Sequence, residues 1–170
     1  AVALATEQLG GLDGRTVLVL GAGEMAEGTV KSLAAAGTSD IFVANRTWDN
    51  AVALAEACGG TAVSLDAVGD ALVAVDMLVT TTGAQQLILE SGEIAGFLSR
   101  RNGRELVIVD VAVPRDVDPR AGELPGVTLL DMDDIGVFVE QQMASRTRVV
   151  GNVETIVGEE VDRYRTVTSA

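Results

Sequence analysis

Three small residues at the end of an apolar run carry the clearest chemical signal in the sequence. Gly21, Gly23 and Ala26 have the spacing G-x-G-x-x-A and follow the apolar run Thr16 to Leu20. In this pattern the first glycine permits a sharp turn, the second lets the backbone approach a pyrophosphate, and the third small residue lets a helix pack close to a strand. The helix N-terminus then offers free N–H groups to the phosphates. The predicted phosphate-binding residues are Gly21, Ala22, Gly23, Glu24, Met25 and Ala26.

The end of the second predicted strand indicates which dinucleotide is bound. A fold that prefers NAD usually places an acidic residue here, about 20 residues after the glycines, to hold the ribose 2′-hydroxyl. This chain has Asn45, Arg46 and Thr47 instead. Arg46 can pair with a 2′-phosphate and Thr47 can donate a hydrogen bond to it. The three residues therefore predict NADPH, and the alternative is a solvated turn in which Thr47 caps the next helix.

Two further segments are expected at the same edge of the sheet. Thr81, Thr82 and Gly83 follow a predicted strand and offer hydroxyls and bare backbone to a ribose and the second phosphate, although they could also be a plain strand end. Val111 and Ala112 follow the next predicted strand and open a loop that contains two prolines, Pro114 and Pro119, which make it extended and rigid. We add Val111 and Ala112 to the candidate cofactor-binding residues, and we expect Arg115 of this loop to help dock a neighbouring domain or its substrate.

The composition excludes several kinds of catalytic site. The 170 residues contain no histidine and one cysteine, Cys58, so a Ser-His, Cys-His or histidine-metal site cannot form within the chain. We therefore predict no catalytic residue and no metal site, and we assign Cys58 to packing. The formal net charge of −13 disfavours nonspecific binding to nucleic acid.

These candidate residues require an α/β fold to bring them together. Apolar runs at residues 16–20, 41–44, 61–63, 77–80, 106–110 and 127–130 alternate with helical patterns at residues 24–36, 48–58, 65–75 and 90–101. The alternation predicts a Rossmann-type doubly wound parallel sheet. From Met132 to about Tyr164 apolar residues recur every three or four positions without a proline, which predicts one long C-terminal helix that seeks a partner.

The same patterns divide the chain into three expected segments. Residues 1–11 are read as the end of an upstream linker helix, so that the chain would be part of a larger protein. Residues 12–131 form the NADP-binding Rossmann domain, and residues 132–170 form the long helix. No apolar stretch reaches the ~18 residues of a membrane span, and one cysteine fits a reducing compartment. We expect no membrane partner and a cytoplasmic location.

Four motifs together resemble the nucleotide-binding domain of glutamyl-tRNA reductase over nearly the whole chain. They are G-A-G-E-M at Gly21 to Met25, A-N-R-T at Ala44 to Thr47, T-T-G-A at Thr81 to Ala84, and D-V-A-V-P-R-D-V-D-P at Asp110 to Pro119. The last motif is the most specific of the four. The family usually has glycine where this chain has Ala26, a change that the glycine pattern tolerates.

The resemblance implies a role in tetrapyrrole (porphyrin) biosynthesis. In that family NADPH reduces glutamyl-tRNA to glutamate-1-semialdehyde after a cysteine in an S-C-N-R type motif has formed a thioester. That motif is absent here, so the resemblance implies that this chain alone is inactive. It implies as partners an upstream catalytic domain, a downstream dimerisation domain on the long spinal helix, and a second copy in a homodimer. Glutamyl-tRNA would bind mainly through the other domains, and the aminomutase that acts next is a further implied partner.

Two other functions fit some of the same motifs. The cofactor domain of a shikimate-dehydrogenase-like enzyme also pairs a glycine-rich turn with N-R-T, but its turn typically runs G-A-G-G-A and it lacks the V-P-R-D-V-D-P loop. A non-catalytic NADP-binding module would use the fold as a sensor or scaffold.

Overall fold

The structure is a computed structural model that describes the backbone of residues 1–168 and the side chains of residues 1–151, 153–157 and 159. It divides into two compact units, Ala1–Met132 and the segment that begins at Asp133. The roles predicted for segments 1–11, 12–131 and 132–170 stay predictions, and residues 169 and 170 of the last one lie outside the described residues.

One parallel sheet organises the first unit. Across the described residues it has six strands in the order β3-β2-β1-β4-β5-β6. Their bounds are β1 Thr16–Leu20, β2 Asp40–Ala44, β3 Thr61–Val63, β4 Met77–Thr80, β5 Leu106–Asp110 and β6 Val127–Leu130. The chain adds β2 and β3 on one side of β1, and then β4, β5 and β6 on the other side. This is the doubly wound arrangement predicted from the sequence.

Helices form most of the connections between these strands, and one further helix precedes β1. They are α1 Val2–Leu9, α2 Glu24–Ala35, α3 Trp48–Cys58, α4 Val68–Ala74 and α5 Ser91–Leu98, with 3-10 turns at Leu65–Ala67 and Pro119–Glu123. Helix α1 belongs to the same compact unit as the sheet, and its Leu4 and Ala5 are buried.

The core follows from aliphatic strands that are buried on both faces. Residues 17–20 of β1, 77–80 of β4 and 106–110 of β5 are all buried. Parallel strands covered by helices on both faces favour such unbroken runs of valine, leucine and isoleucine. Their burial supplies the main stabilisation, about 25 cal/mol for each Å² of apolar surface removed from water.

Two predicted helices differ from the observed ones. The segment 65–75 begins as a 3-10 turn and becomes α-helical only at Val68. The helix predicted to reach Arg101 ends at Leu98, and Arg101 turns inward, where its guanidinium donates to the backbone carbonyls of Leu72 and Val75. These carbonyls end α4 and have no partner within that helix, so a buried arginine satisfies them.

The second unit is a single helix, α6, which begins at Met132 in the first unit and extends to Thr168. Its 37 residues correspond to a length of about 55 Å. Most of its described side chains are exposed, including Met143, Val150 and Val153. Within the described part of the chain, no helix is long and apolar enough to cross a membrane.

Candidate functional site

The predicted site residues follow the carboxyl ends of four neighbouring strands, β2, β1, β4 and β5. Strand β1 pairs with β4, and β4 pairs with β5. The strand order reverses between β1 and β4, because the chain first builds β2 and β3 on one side of β1 and then crosses to the other. In open α/β sheets, ligands bind outside the carboxyl ends of the strands at this reversal point. The glycine turn after β1 and the threonines after β4 both lie there.

Gly21 makes a turn that would be strained for any residue with a side chain. Its φ is +116°, and a Cβ atom added there would lie 2.5 Å from the Oγ1 of Thr81 and 3.2 Å from its carbonyl carbon. The turn also brings helix α2 against the sheet, where Ala26 is fully buried. Gly21 and Ala26 therefore have the structural roles that the spacing predicts.

Gly23 differs from Gly21, because nothing in the protein requires it to lack a side chain. Its φ of −89° is open to any residue, and apart from its chain neighbours no described residue has an atom within 4 Å of the position a Cβ would take. It is the N-cap of α2, and no described side chain caps that end of the helix. The N–H groups of Glu24, Met25 and Ala26 belong to the first turn and have no partner within the helix, so an anion can satisfy them.

The residues predicted to select the cofactor lie at the end of β2. The amide of Asn45 donates to the carbonyl oxygen of Thr47 at 3.0 Å. Thr47 occupies the N-cap of α3, but its side chain makes no capping bond to a described residue, so the capping alternative is not observed. Arg46 is exposed and has no hydrogen bond or ion pair with any described residue. Its guanidinium can therefore pair with a phosphate without breaking an existing contact.

The hydroxyls of the three threonines at the end of β4 donate hydrogen bonds within the protein, which the sequence did not indicate. Thr80 is fully buried and donates to the carboxylate of Asp110 at 2.9 Å. Thr81 donates to the carbonyl oxygen of Leu20 at 3.4 Å, and Thr82 donates to the carboxylate of Asp116 at 2.5 Å. Gly83 is exposed with open space around it. The hydroxyl protons are thus used within the protein, and the two partly exposed threonines present oxygen lone pairs to a ligand.

The carboxylate of Asp110 holds the loop after β5. Besides Thr80, it accepts hydrogen bonds from the backbone N–H groups of Ala112 at 3.1 Å, and of Asp116 and Val117 at 3.0 Å each. Val111 and Ala112 are buried, and the N–H of Val111 donates to the carbonyl oxygen of Thr80 at 3.0 Å. These two candidate residues can therefore reach a cofactor only through their remaining exposed atoms.

Sequence reasoning missed Asp110 and Asp116 as residues that organise the site. Both are buried carboxylates. Burial raises the pKa of Asp116 more than the two hydrogen bonds from Thr82 lower it, and the charge of Asp110 adds to the increase. The available signal was the D-x5-D-x-D spacing, in which one acidic residue ends an apolar strand and two more follow within its loop.

Two other side chains were singled out from the sequence. Arg115 makes an ion pair with Asp131 at 2.7 Å, and its docking role stays a prediction. Cys58 is a free thiol at the far end of α3, where it donates to the carbonyl oxygen of Ala55 at 3.4 Å. It lines a groove of about 660 Å³ between α2 and α3. The described residues contain no cluster of acidic, cysteine or histidine side chains that could hold a metal ion.

The sequence is similar to those of known proteins. A family model described as shikimate / quinate 5-dehydrogenase matches residues 3–137. A glutamyl-tRNA reductase from Pelotomaculum thermopropionicum is 42% identical over 164 residues, which cover 96% of this chain and 37% of that protein. The chain thus spans little more than a third of the length of this curated relative.

The chain is also similar to solved structures of a glutamyl-tRNA reductase and of a shikimate 5-dehydrogenase. The glutamyl-tRNA reductase from Methanopyrus kandleri superposes with a TM-score of 0.83 at 36% identity, covering 94% of this chain and 40% of that one. A shikimate 5-dehydrogenase from Listeria monocytogenes, solved with shikimate and NAD, has a TM-score of 0.57 at 18% identity, covering 76% of this chain and 50% of that one. The second likeness concerns the fold alone.

Proposed function

This chain belongs to the family described as shikimate / quinate 5-dehydrogenase, and we propose that within it the chain is the NADPH-binding domain of a glutamyl-tRNA reductase. The observation that carries the proposal is the open N-terminus of α2 beside Gly23, at the point where the strand order reverses. A dinucleotide needs a bare backbone and free N–H groups at that place.

The residues of the glycine turn fit the pyrophosphate. Gly21 and Ala22 lead the backbone over the end of β1, Gly23 leaves room for the phosphate oxygens, and the N–H groups of α2 donate to them. The side chains of Glu24 and Met25 are exposed, so these two residues contribute through their backbone. Ala26 contributes by letting α2 approach the sheet.

The residues at the end of β2 fit the 2′-phosphate of NADPH better than the free hydroxyl of NADH. Arg46 supplies the positive charge. Thr47 supplies a hydroxyl that makes no capping hydrogen bond to α3. Asn45 braces this turn through its bond to Thr47. No acidic residue stands at this position to hold a ribose hydroxyl or to repel a phosphate.

The nicotinamide half would lie over the loops after β4 and β5. The hydroxyl oxygens of Thr81 and Thr82 would accept hydrogen bonds from ribose hydroxyls, Gly83 leaves open space, and Val111 and Ala112 would contact the cofactor through their few exposed atoms. The tRNA leaves when a cysteine thiolate takes over the glutamyl group as a thioester. When bound, NADPH would supply a hydride to that thioester, and the products would be glutamate-1-semialdehyde, the cysteine thiolate and NADP⁺. This chain positions the hydride donor, and the thiolate comes from another part of the protein, since Cys58 lies far along α3.

The proposed partners follow from the same assignment. We propose a catalytic domain before this chain, and a dimerisation domain after it that makes the protein a homodimer through α6. The exposed apolar side chains Val139, Met143, Val150, Val153 and Val157 recur at helical spacing on α6 and need such a partner. Glutamyl-tRNA binds through the other domains, and the aminomutase that consumes the aldehyde receives it. An aminoacyl-tRNA substrate and the free thiol of Cys58 favour the cytoplasm.

The shikimate-dehydrogenase-like alternative has support from the family model but not from the loop after β5. The buried Asp110 and Asp116 give the D-V-A-V-P-R-D-V-D-P segment a defined fold, and that segment is part of the likeness to the reductases. The test is to assay the complete protein with NADPH and glutamyl-tRNA, and in parallel with NADP⁺ and shikimate. Formation of glutamate-1-semialdehyde supports the proposal, oxidation of shikimate would favour the alternative, and neither reaction would favour the non-catalytic module.

A further inference from the structure

The side chain of Asp116 connects the loop after β5 to the loop after β4. One carboxylate oxygen accepts from the backbone N–H of Thr82 at 2.9 Å, and the other accepts from the hydroxyl of Thr82 at 2.5 Å. The same residue thus holds both the main chain and the side chain of Thr82. Hydrogen bonds to an ionised group are the stronger kind, so this two-point contact fixes the loop after β4 firmly.

The backbone of Asp116 is itself anchored on both sides. Its N–H donates to the carboxylate of Asp110 at 3.0 Å, and its carbonyl oxygen accepts from the N–H groups of Ile88 at 2.7 Å and Leu89 at 3.1 Å. The loop after β4 is therefore pinned to Asp116 at two places, near its start at Thr82 and near its end. Asp116 is fully buried, and each of its polar groups has a partner within the protein.

The contact also sets the direction of the hydrogen bonds at Thr82. An ionised carboxylate can only accept, so the hydroxyl proton of Thr82 must point to Asp116. The hydroxyl oxygen in turn accepts from the N–H of Ala84 at 3.2 Å. What Thr82 can still offer to a ligand is one lone pair, which suits a ribose hydroxyl as donor.

We propose that Asp116 is a positioning residue for hydride transfer, because it fixes Thr81 to Gly83 at the place where the nicotinamide ribose binds. The inference rests on the proposed function. Thr81 lies against Gly21, so a displacement of this loop would move the ribose relative to the pyrophosphate. The phosphates and the adenine end are held by other residues, Gly23 and Arg46 among them. Asp116 should therefore affect the rate of hydride transfer more than the affinity for NADPH.

The test measures single-turnover hydride transfer in the complete reductase at saturating NADPH and glutamyl-tRNA. For Asp116→Asn we expect the rate constant to fall about tenfold or more, since small misplacements of reacting groups are costly, with the Kd for NADPH within about twofold of wild type. The substitution keeps the size and one acceptor of Asp116 but reverses the hydrogen bond to the hydroxyl of Thr82. A partly unfolded sample would lower the amplitude of the turnover and leave its rate constant unchanged.

Three further variants serve as controls. Asp118→Asn removes another buried carboxylate two residues away, which binds Arg120 and the N–H of Ser91. It should lower the melting temperature and leave the rate constant within about twofold of wild type. Thr82→Val removes the hydroxyl that binds Asp116 and should reproduce the loss, whereas Thr82→Ser keeps that hydroxyl and should lose much less of the rate. These two variants also carry the test if Asp116→Asn does not fold.

The outcomes separate the two proposals. A wild-type protein that does not reduce glutamyl-tRNA overturns the proposed function, and the hydride-transfer role of Asp116 with it. An active wild type whose rate constant is unchanged by Asp116→Asn and by Thr82→Val overturns the positioning role alone. A loss that Asp118→Asn matches, or one that follows weaker NADPH binding, overturns it as well.

Discussion

The hydroxyl of Thr80 donates to the carboxylate of Asp110 across the last residue pair of β4 and β5. Both side chains are buried, and the same carboxylate binds three backbone N–H groups of the following loop. Asp110 is thus the last residue of β5, joins β5 to β4 and holds the loop that approaches the candidate cofactor site.

Substitution of Asp110 should destabilise the protein strongly. An asparagine offers one acceptor oxygen and places an NH₂ group against donors that the second oxygen now binds, so Asp110→Asn should lower the free energy of unfolding by about 2–4 kcal/mol. Thr80→Val removes only one donor and should cost about 1 kcal/mol. Urea unfolding of the two variants measures the difference. Equal losses would show that Asp110 does not hold the loop.

Asp76, at the amino end of the sheet, should make stability depend on pH. Burial alone would raise its pKa, but the N–H and hydroxyl of Thr16 and the guanidinium of Arg104 lower it below the ordinary value. The unfolded state then binds the proton more tightly, so the contribution is present above the unfolded pKa of about 3.9 and is lost as the pH falls through the lower folded value.

The corresponding experiment compares Asp76→Asn with wild type in urea at several pH values. The variant should be less stable by about 1–3 kcal/mol at neutral pH, and the gap should narrow in acid as the wild-type carboxylate becomes protonated. Asp70→Asn is the control, because Asp70 is largely exposed and its ion pair with Arg100 should contribute under about 1 kcal/mol. A gap at Asp76 that stays constant down to strong acid would contradict the assignment.

Gly23 should matter for the cofactor and not for the fold. Since its φ is ordinary and the space beside it is open, Gly23→Ala should leave the melting temperature unchanged while weakening NADPH by about tenfold or more, because the added methyl occupies the path of the pyrophosphate. Gly28→Ala, within the same helix and equally open, should raise stability by about 0.5–1 kcal/mol and leave affinity unchanged. Unaltered NADPH binding by Gly23→Ala would place the pyrophosphate elsewhere.

The sequence predicted the elements well where the signal is local. The strands at Thr61–Val63 and Met77–Thr80 have the predicted bounds. Each is a short aliphatic run that ends at polar or glycine residues, so its bounds can be read from adjacent residues alone. The turn at Gly21 was predictable for the same reason. The long helix was predicted from its spacing, and it extends a few residues past the expected end at Tyr164.

Side-chain networks between distant segments could not be predicted. Asp116 is 34 residues from Thr82, and Arg101 reaches carbonyls up to 29 residues away, so no periodic pattern links them. Thr82 was expected to line a ribose or phosphate with its hydroxyl, and nothing in the sequence indicated that the hydroxyl proton is bound to Asp116. Composition indicates that a buried charge is rare but not which partners will satisfy it.

The preference for NADPH over NADH is tested most directly by calorimetric titration of both cofactors into wild type and Arg46→Ala. Arg100→Ala removes an exposed positive charge that pairs with Asp70 and is the matched control. Loss of a charge-assisted bond to the 2′-phosphate should weaken NADPH by about 1.5–3 kcal/mol, with NADH and the control variant barely affected. Equal losses for NADPH and NADH in Arg46→Ala would contradict this account of cofactor choice.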